Sequence, residues 1–295
     1  MDENPARTPE AGEARSSGQV PASRIQALVH LLGDDDPKIC SVAWAHLEKI
    51  GEPALSFVES ATRQTGDERV QIQAARFLKE WSRREVFARW VAFCRKGQLD
   101  LEEGAFLLAE TEYPGLDVGS YRKTLDGYAH VLEGRLSTAR STEDAVKKIN
   151  AFLFSDLNFR GNAAEHDDPE NSYLNRVLDL KRGIPISLSA IYLLVARRLG
   201  VTVHGVGMPQ HFLLKYKGSG GEVFVDTFHQ GKLLTARDCA RFLAEARIPF
   251  HEEYFRAVTD AEMLTRMLGN LLRIYLEMKD QRRHDRITAM LKLLS

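Results

Sequence analysis

Lys181-Arg-Gly-Ile-Pro-Ile-Ser-Leu-Ser189 opens the stretch that decides how this chain folds, and that stretch runs on to His229. Pro185 suits the first turn of a helix, where its missing N–H leaves nothing unpaired. Residues 190–196 are apolar without a break, Arg197 and Arg198 suit the negative C-terminal end, and Gly200 suits the stop. A helix apolar nearly all round is a buried one, so this helix is expected at the centre of a core. Three strand-like runs come after it at 201–206, 212–216 and 222–226, the last two joined by a turn at Gly218-Ser-Gly-Gly221. His211 begins one strand and Asp226 ends the next. In an antiparallel hairpin these two side chains meet near one end of the sheet.

Outward from this centre the chain reads as mostly helical. Upstream, Asp168-Pro169 suits the N-cap and first position of a helix running to about Leu180, and 154–167 reads as a loop. Residues 143–157 form one helical pattern, and 98–136 two or three, broken at Tyr113-Pro-Gly115 and at Gly134. Further back, Ile39, Ala43 and Leu47 recur as Val70, Ala74 and Leu78, each 31 residues on and each set introduced by an acidic turn. With Gly51 ending one helix and Pro53 opening the next, residues 23–96 read as a pair of HEAT-like helical repeats. Repeats of this kind need neighbours to cover their faces, so Val70, Ala74 and Leu78 are expected to dock on the domain C-terminal to them. Residues 1–22 are rich in Pro, Glu, Gly, Ser and Ala and are expected to be disordered. Downstream, 235–246 is a helix, and 263–278 with 284–294 a terminal helix pair.

Composition narrows the function classes. The 295 residues allow two or three compact units, and 40 basic residues against 41 acidic ones give a formal net charge of −1. That balance argues against nucleic acid as a partner. Cys40, Cys94 and Cys239 are odd in number and show no C-x-x-C spacing, which argues against a disulfide framework or zinc knuckle and for a reducing compartment. No apolar run approaches the roughly 20 residues of a membrane helix, and residues 1–22 carry no signal-peptide pattern. A cytoplasmic protein without a membrane partner and without a cofactor is the expectation.

The order of helix start, strand with His, and strand with Asp is similar to the transglutaminase and papain-like core. The wording resembles one branch, the SirB-type transglutaminase-like family. It does so in Arg182-Gly-Ile-Pro-Ile-Ser-Leu-Ser189, Ala196-Arg-Arg-Leu-Gly200, Gly205-Val-Gly-x-Pro-x-His-Phe212 and Asp226-x-Phe228. Upstream the same holds for Phe159-Arg-Gly-Asn162, Asp168-Pro-x-Asn171-Ser-x-Leu174-Asn175, Glu112-Tyr-Pro-Gly-Leu-Asp117 and Leu125-Asp126. The resemblance implies an α+β fold: a mostly helical, transglutaminase-like core with a small antiparallel sheet packed on a buried helix, flanked by helical repeats. It places that domain at 97–250, with a helical lead-in at 97–137, and a tetratricopeptide-like helix pair at 251–295.

The chemistry of that family needs a thiolate, a base that takes its proton, and a carboxylate that orients the base. A helix N-terminus would lower the pKa of a thiol placed there. Here the resemblance puts the nucleophile position at Pro185 or, with a small gap, at Ser187, and no cysteine lies in the region. Two readings stand for Ser187 and Ser189. As nucleophiles they would depend wholly on His211, because a helix dipole cannot ionise a hydroxyl; as caps they would satisfy free backbone groups of the first turn, the reading we favour. His211 and Asp226 read as a base with its orienting carboxylate, or as a strand-end histidine held by an acid. Asn158, Arg160, Asn162 and Asn175 either line the same cleft and bind a polar ligand or shape loops. His204, His211, Asp226 and His229 offer metal-ligand atoms, but His204 and His211 fall near different strand ends and no i, i+4 histidine pair exists, so no metal is expected. The leading expectation is a domain without the cysteine nucleophile, non-catalytic or weakly catalytic, that binds a protein or peptide. The alternative is an active hydrolase or acyltransferase with a Ser-His-Asp arrangement.

Overall fold

The computed structural model describes residues 20–294. The segment expected to be disordered lies outside the described residues, except for 20–22, where Ala22 already starts a helix. The chain forms two compact units, the first ending at Ser82 and the second beginning at Arg83.

The first unit contains helices α1 (Ala22–Leu31), α2 (Pro37–Ile50), α3 (Glu52–Gln64) and the first half of α4 (Glu68–Cys94). Asp36 caps α2 by accepting the Lys38 N–H, with Pro37 at the first helical position. Gly51, at φ +79°, ends α2 and starts α3. Ile25, Val29, Leu47, Val58, Val70, Ala74 and Phe77 make one buried cluster, with Leu78 packed against it. This corrects the docking face expected from the sequence. Val70, Ala74 and Leu78 belong to the unit's own core, because the preceding helices close over them. In the second half of α4, Trp90 and Phe93 are buried in the core of the second unit, so the chain divides within this helix.

The second unit begins with α5 (Leu101–Glu112), α6 (Val118–Leu136) and α7 (Thr142–Asn150), which runs on as a π-helical turn to Asp156. Then come β1 (Arg160–Gly161), α8 (Leu174–Leu180), β2 (Arg182–Gly183) and α9 (Pro185–Arg198). The sheet is built from β3 (His204–Val206), β4 (Leu213–Gly218), β5 (Gly221–Asp226), β6 (Lys232–Leu234) and β7 (Ala257–Val258), with α10 (Ala236–Glu245) between the last two. Helices α11 (Asp260–Glu277) and α12 (Gln281–Leu291) complete it. The five strands are antiparallel, in the order β6-β5-β4-β3-β7, while β1 and β2 pair separately and in parallel. The fold is a mostly helical α+β fold with one small antiparallel sheet.

Helix α9 sits where its composition requires. Every residue from Ile186 to Ala196 is buried, and the surrounding cluster draws on α5, α6, α8, β4 and α11. The terminal pair α11 and α12 shares this core through Met263, Leu264, Leu268, Leu271, Ile287 and Met290. Arg197 and Arg198 leave the last turn of α9 to pair with Asp260 and with Glu102 and Asp126. Gly134 does not break α6, since a helix tolerates an exposed glycine at a cost of about 1 kcal/mol. Asp168 does cap, but only a single 3-10 turn (Pro169–Ser172), because Tyr173 turns extended before α8 starts. Its buried hydroxyl meets that of Tyr275 at 2.6 Å, which fixes the break. Strands β6 and β7 are too short to show alternation, so the sequence pattern does not reveal them. No helix among the described residues is long and apolar enough to cross a membrane.

Candidate functional site

Two turns at one end of the sheet build the site. The first joins β3 to β4 through Met208-Pro209-Gln210-His211. The His211 N–H donates to the Met208 carbonyl at 3.2 Å, and Gln210 takes φ +60°, which makes this a type II turn with proline in its usual place. Arg266 of α11 clamps the turn by donating to the carbonyls of Met208 (2.7 Å) and His211 (2.9 Å) while its guanidinium lies over the Phe212 ring. Burial holds the Arg266 guanidinium below its ordinary pKa. Arg266 was not legible as a site residue, although a lone arginine among Met263, Leu264, Met267 and Leu268 is the one signal the sequence offers.

The second turn comes directly after β5. Asp226 Oδ1 accepts the backbone N–H groups of Phe228 and His229, each at 3.1 Å, and the Gly231 N–H closes on the Asp226 carbonyl at 2.8 Å. Gln230 and Gly231 both adopt left-handed backbone, and the space a Cβ would need at Gly231 is filled by Asn150 and Phe154. The turn therefore folds His229 back over the carboxylate that precedes it.

His211 and Asp226 meet as the hairpin register requires. His211 Nε2 donates to Asp226 Oδ2 at 3.0 Å, and His229 Nδ1 donates to the same oxygen at 2.8 Å. His211 lies in the turn two residues before β4 and not in the strand itself. Burial works to raise the Asp226 carboxyl, but the hydrogen bonds and charge of His211, and then of His229, outweigh it and hold the carboxyl below its ordinary value. An ionised Asp226 fixes the tautomer of neutral His211 with the proton on Nε2, leaving a lone pair on Nδ1. Among the described residues nothing hydrogen-bonds to that Nδ1. The ring stands among Phe228, Phe242 and His229, with centroids 6.4, 5.6 and 6.0 Å away, and His166 lies 6.1 Å beyond Phe228. His229 is 63 % exposed at its side chain, against 11 % for His211.

The serines are placed otherwise. Ser187 is fully buried; its Oγ accepts the Ile184 N–H at 3.1 Å and donates to the Asn171 carbonyl at 2.6 Å. Ser189, equally buried, meets Thr227 Oγ1 at 2.9 Å. Thr227 in turn donates to the Pro185 carbonyl at 3.2 Å, so the proton in the Ser189–Thr227 bond is the serine's. Neither hydroxyl has a hydrogen bond to His211, and both protons are already engaged. Thr227 thereby ties the Asp226 turn to the start of α9. Cys239 lies buried in a small apolar cluster with Val206, Met208, Leu213 and Phe224. Burial, with the charges of Asp238 and Asp226, pushes its thiol up to about 12.

None of the four expected ligand residues hydrogen-bonds to His211. Asn158 is exposed and left-handed, a turn residue, and Arg160 is exposed on β1. Asn162 is engaged inside its loop, donating to Asn171 Oδ1 at 3.1 Å and accepting the Glu165 N–H at 3.3 Å. Asn175 is buried with its Oδ1 unpartnered. Strand β1 does reach the site's edge, because Gly161 donates to the Phe228 carbonyl at 3.3 Å and the Phe228 ring fills the space beside its Cα. Strand spacing also misses the role of His229. His204, exposed on β3 opposite Lys215, stays apart, while the donor atoms of His211, Asp226 and His229 all lie within 4.8 Å of one another.

A buried helix, a small antiparallel sheet on it, and a His–Asp pair at the sheet's end agree with what sequence comparison finds. The family profile described as transglutaminase-like superfamily matches residues 119–269. The chain belongs to the transglutaminase-like superfamily. Among curated proteins this transglutaminase-like chain is 34% identical over 183 residues to a UPF0162 protein of Xylella fastidiosa, covering 60% of this chain and 65% of that one. A UPF0162 protein of Vibrio cholerae is 24% identical over 185 residues, covering 59% of this chain and 65% of that protein. F-box only protein 21 of Mus musculus is 36% identical over 132 residues, which make up 42% of this chain and 21% of that protein. The chain thus spans 65% of the length of the UPF0162 relatives. No solved structure matches it.

Proposed function

We propose that the transglutaminase-like domain of this protein is a peptide-binding module without a nucleophile of its own, and that the His211 end of the sheet is where the peptide sits. One observation carries the reading. The base nitrogen of an oriented His–Asp pair is unpartnered, while the hydroxyls at the start of α9 are buried and engaged elsewhere and the buried thiol is held protonated. A nucleophile has to lie within hydrogen-bond reach of its base. Here the imidazole is set to accept a hydrogen bond from a ligand, such as a peptide N–H, and Phe228, Phe242 and His166 offer apolar and aromatic surface around it. The relatives support a portable module, since the stretch shared with F-box only protein 21 is 21% of that much longer chain.

The same proposal takes the domain as the SirB-type branch, on the strength of Arg182-Gly-Ile-Pro-Ile-Ser-Leu-Ser189 and Gly205-Val-Gly-x-Pro-x-His-Phe212. It takes the first unit as HEAT-like repeats, α11 with α12 as a tetratricopeptide-like pair, and the cytoplasm as the working compartment. The test is selection of peptides from a displayed random library, with calorimetry of the selected peptides on wild type and His211→Ala. Mass spectrometry of each peptide after incubation reports cleavage. Intact peptides that bind wild type, and bind His211→Ala at least tenfold more weakly, support the module. Cleaved peptides, or covalent fluorophosphonate labelling of Ser187 or Ser189 that His211→Ala abolishes, would establish the Ser-His-Asp hydrolase instead.

A further inference from the structure

The turn after β5 assembles three donor atoms that peptide binding leaves unused. Asp226 Oδ2 is shared by His211 Nε2 at 3.0 Å and His229 Nδ1 at 2.8 Å, and all three atoms fall within 4.8 Å of one another. We propose that these atoms bind a divalent transition-metal ion of the zinc type. The site shares His211 with the peptide-binding reading, which uses the Nδ1 edge of that ring in the metal-free protein.

The donor set selects the class of ion. Two imidazole nitrogens and one carboxylate oxygen suit zinc or cobalt, whereas calcium and magnesium take oxygen ligands. The carboxylate is prepared for such a role. Its Oδ1 is fixed by the N–H groups of Phe228 and His229, which turns Oδ2 toward both rings, and outer-sphere support of this kind orients metal-bound carboxylates. The dimensions nearly fit. With bonds of about 2.0–2.1 Å the edge of a zinc tetrahedron is about 3.3 Å, so each nitrogen retreats from Oδ2 by only a few tenths of an ångström. The two nitrogens, in turn, must lie about 3.3 Å apart, and that adjustment falls to His229, whose side chain is exposed, while Arg266 pins the turn that carries His211.

Without a metal, the two imidazole protons occupy the space between the nitrogens and Oδ2. On binding, each neutral ring moves its proton to its other nitrogen, so no proton need be released. His211 Nδ1–H then becomes a donor, aimed at whatever occupies the aromatic-rimmed surface. The exposed side of His229 leaves a coordination position for water or for an oxygen of a ligand.

Zinc titration of the full chain by calorimetry, with any purification tag removed, tests the site. The variants are His229→Ala, His211→Ala and, as control, His204→Ala, with thermal melts checking that each remains folded. One equivalent of zinc is expected on wild type and on His204→Ala, with affinity lowered roughly tenfold or more in the other two. Cobalt should give the visible spectrum of a four-coordinate ion with wild type and lose it with His229→Ala, a change at an exposed side chain that leaves the core intact. Failure of wild type to bind zinc at micromolar concentration overturns the proposal. So does zinc binding that His229→Ala leaves unchanged, or a preference for calcium over zinc. Peptide affinity measured without metal is a separate readout, so loss of one property leaves the other standing.

Discussion

Replacing Ser187 with alanine separates a structural serine from a nucleophile. In the folded protein the Ser187 hydroxyl satisfies the buried Ile184 N–H at the start of α9 and donates to the buried Asn171 carbonyl. Alanine removes both bonds and strands the buried Ile184 N–H and the buried Asn171 carbonyl. The lost cap costs about 1 kcal/mol. Stranding a buried polar group costs about 1–3 kcal/mol more, so the sum is about 2–4 kcal/mol. For a domain of this size each kcal/mol moves the melting temperature by about 2–4 °C, so scanning calorimetry should show a drop of about 5–15 °C. Ser189→Ala loses only its bond to Thr227, which keeps its own acceptor at Pro185, and should cost about 1 kcal/mol. Fluorophosphonate should label neither serine in wild type. A Ser187→Ala melt within about 1 °C of wild type, against the drop expected from the lost bonds, would refute the structural role. Labelling of Ser187 that depends on His211 would show a nucleophile in its place.

Cys239 should resist iodoacetamide in the native protein at neutral pH and react on unfolding, because its thiol is buried and held up to about 12; rapid native labelling would contradict this. Asp226 supplies an acid-sensitive share of stability. Its folded carboxyl titrates below the ordinary 3.8, so that share is complete above 3.8 and is lost as the pH falls through the lower folded value. Urea midpoints of wild type and Asp226→Asn should therefore converge as the pH falls below 3.8. Gly231→Ala forces a left-handed alanine at φ +75° against the Asn150 and Phe154 side chains, and should cost about 2–5 kcal/mol. Solvent exchange of the Phe228 and His229 amides should speed up with it, and unchanged exchange would show that the turn does not depend on this glycine.

Periodicity carried far where the signal was local and repeated. Pro185, the apolar run 190–196 and Gly200 bracket α9, Gly51 and Pro53 mark the α2–α3 junction, and the Gly218–Gly221 turn sets the hairpin register that brings His211 toward Asp226. It failed where a contact distant in sequence overrides local preference. Tyr173 breaks the helix expected from Asp168 to Leu180 because its hydroxyl is held by Tyr275, 102 residues on. Val70, Ala74 and Leu78 read equally well as a docking face or as a core, and only the closure of the preceding helices decides for the core.

The site divides in the same way. Residue types and order determine that a histidine and an aspartate come together at one end of neighbouring strands beyond a buried helix, and that no cysteine stands at that helix's start. Both come from chain connectivity and from patterns with periods of two and 3.6 residues. Only the tertiary structure decides what each polar group does. It engages Ser187 with Asn171 and Ser189 with Thr227, folds His229 back onto Asp226, and sets Arg266 under the turn that carries His211. The physical reason is that hydrogen bonds are short and directional. Their partners are chosen by ångström-scale placement of segments far apart in the chain, and no local pattern encodes that placement.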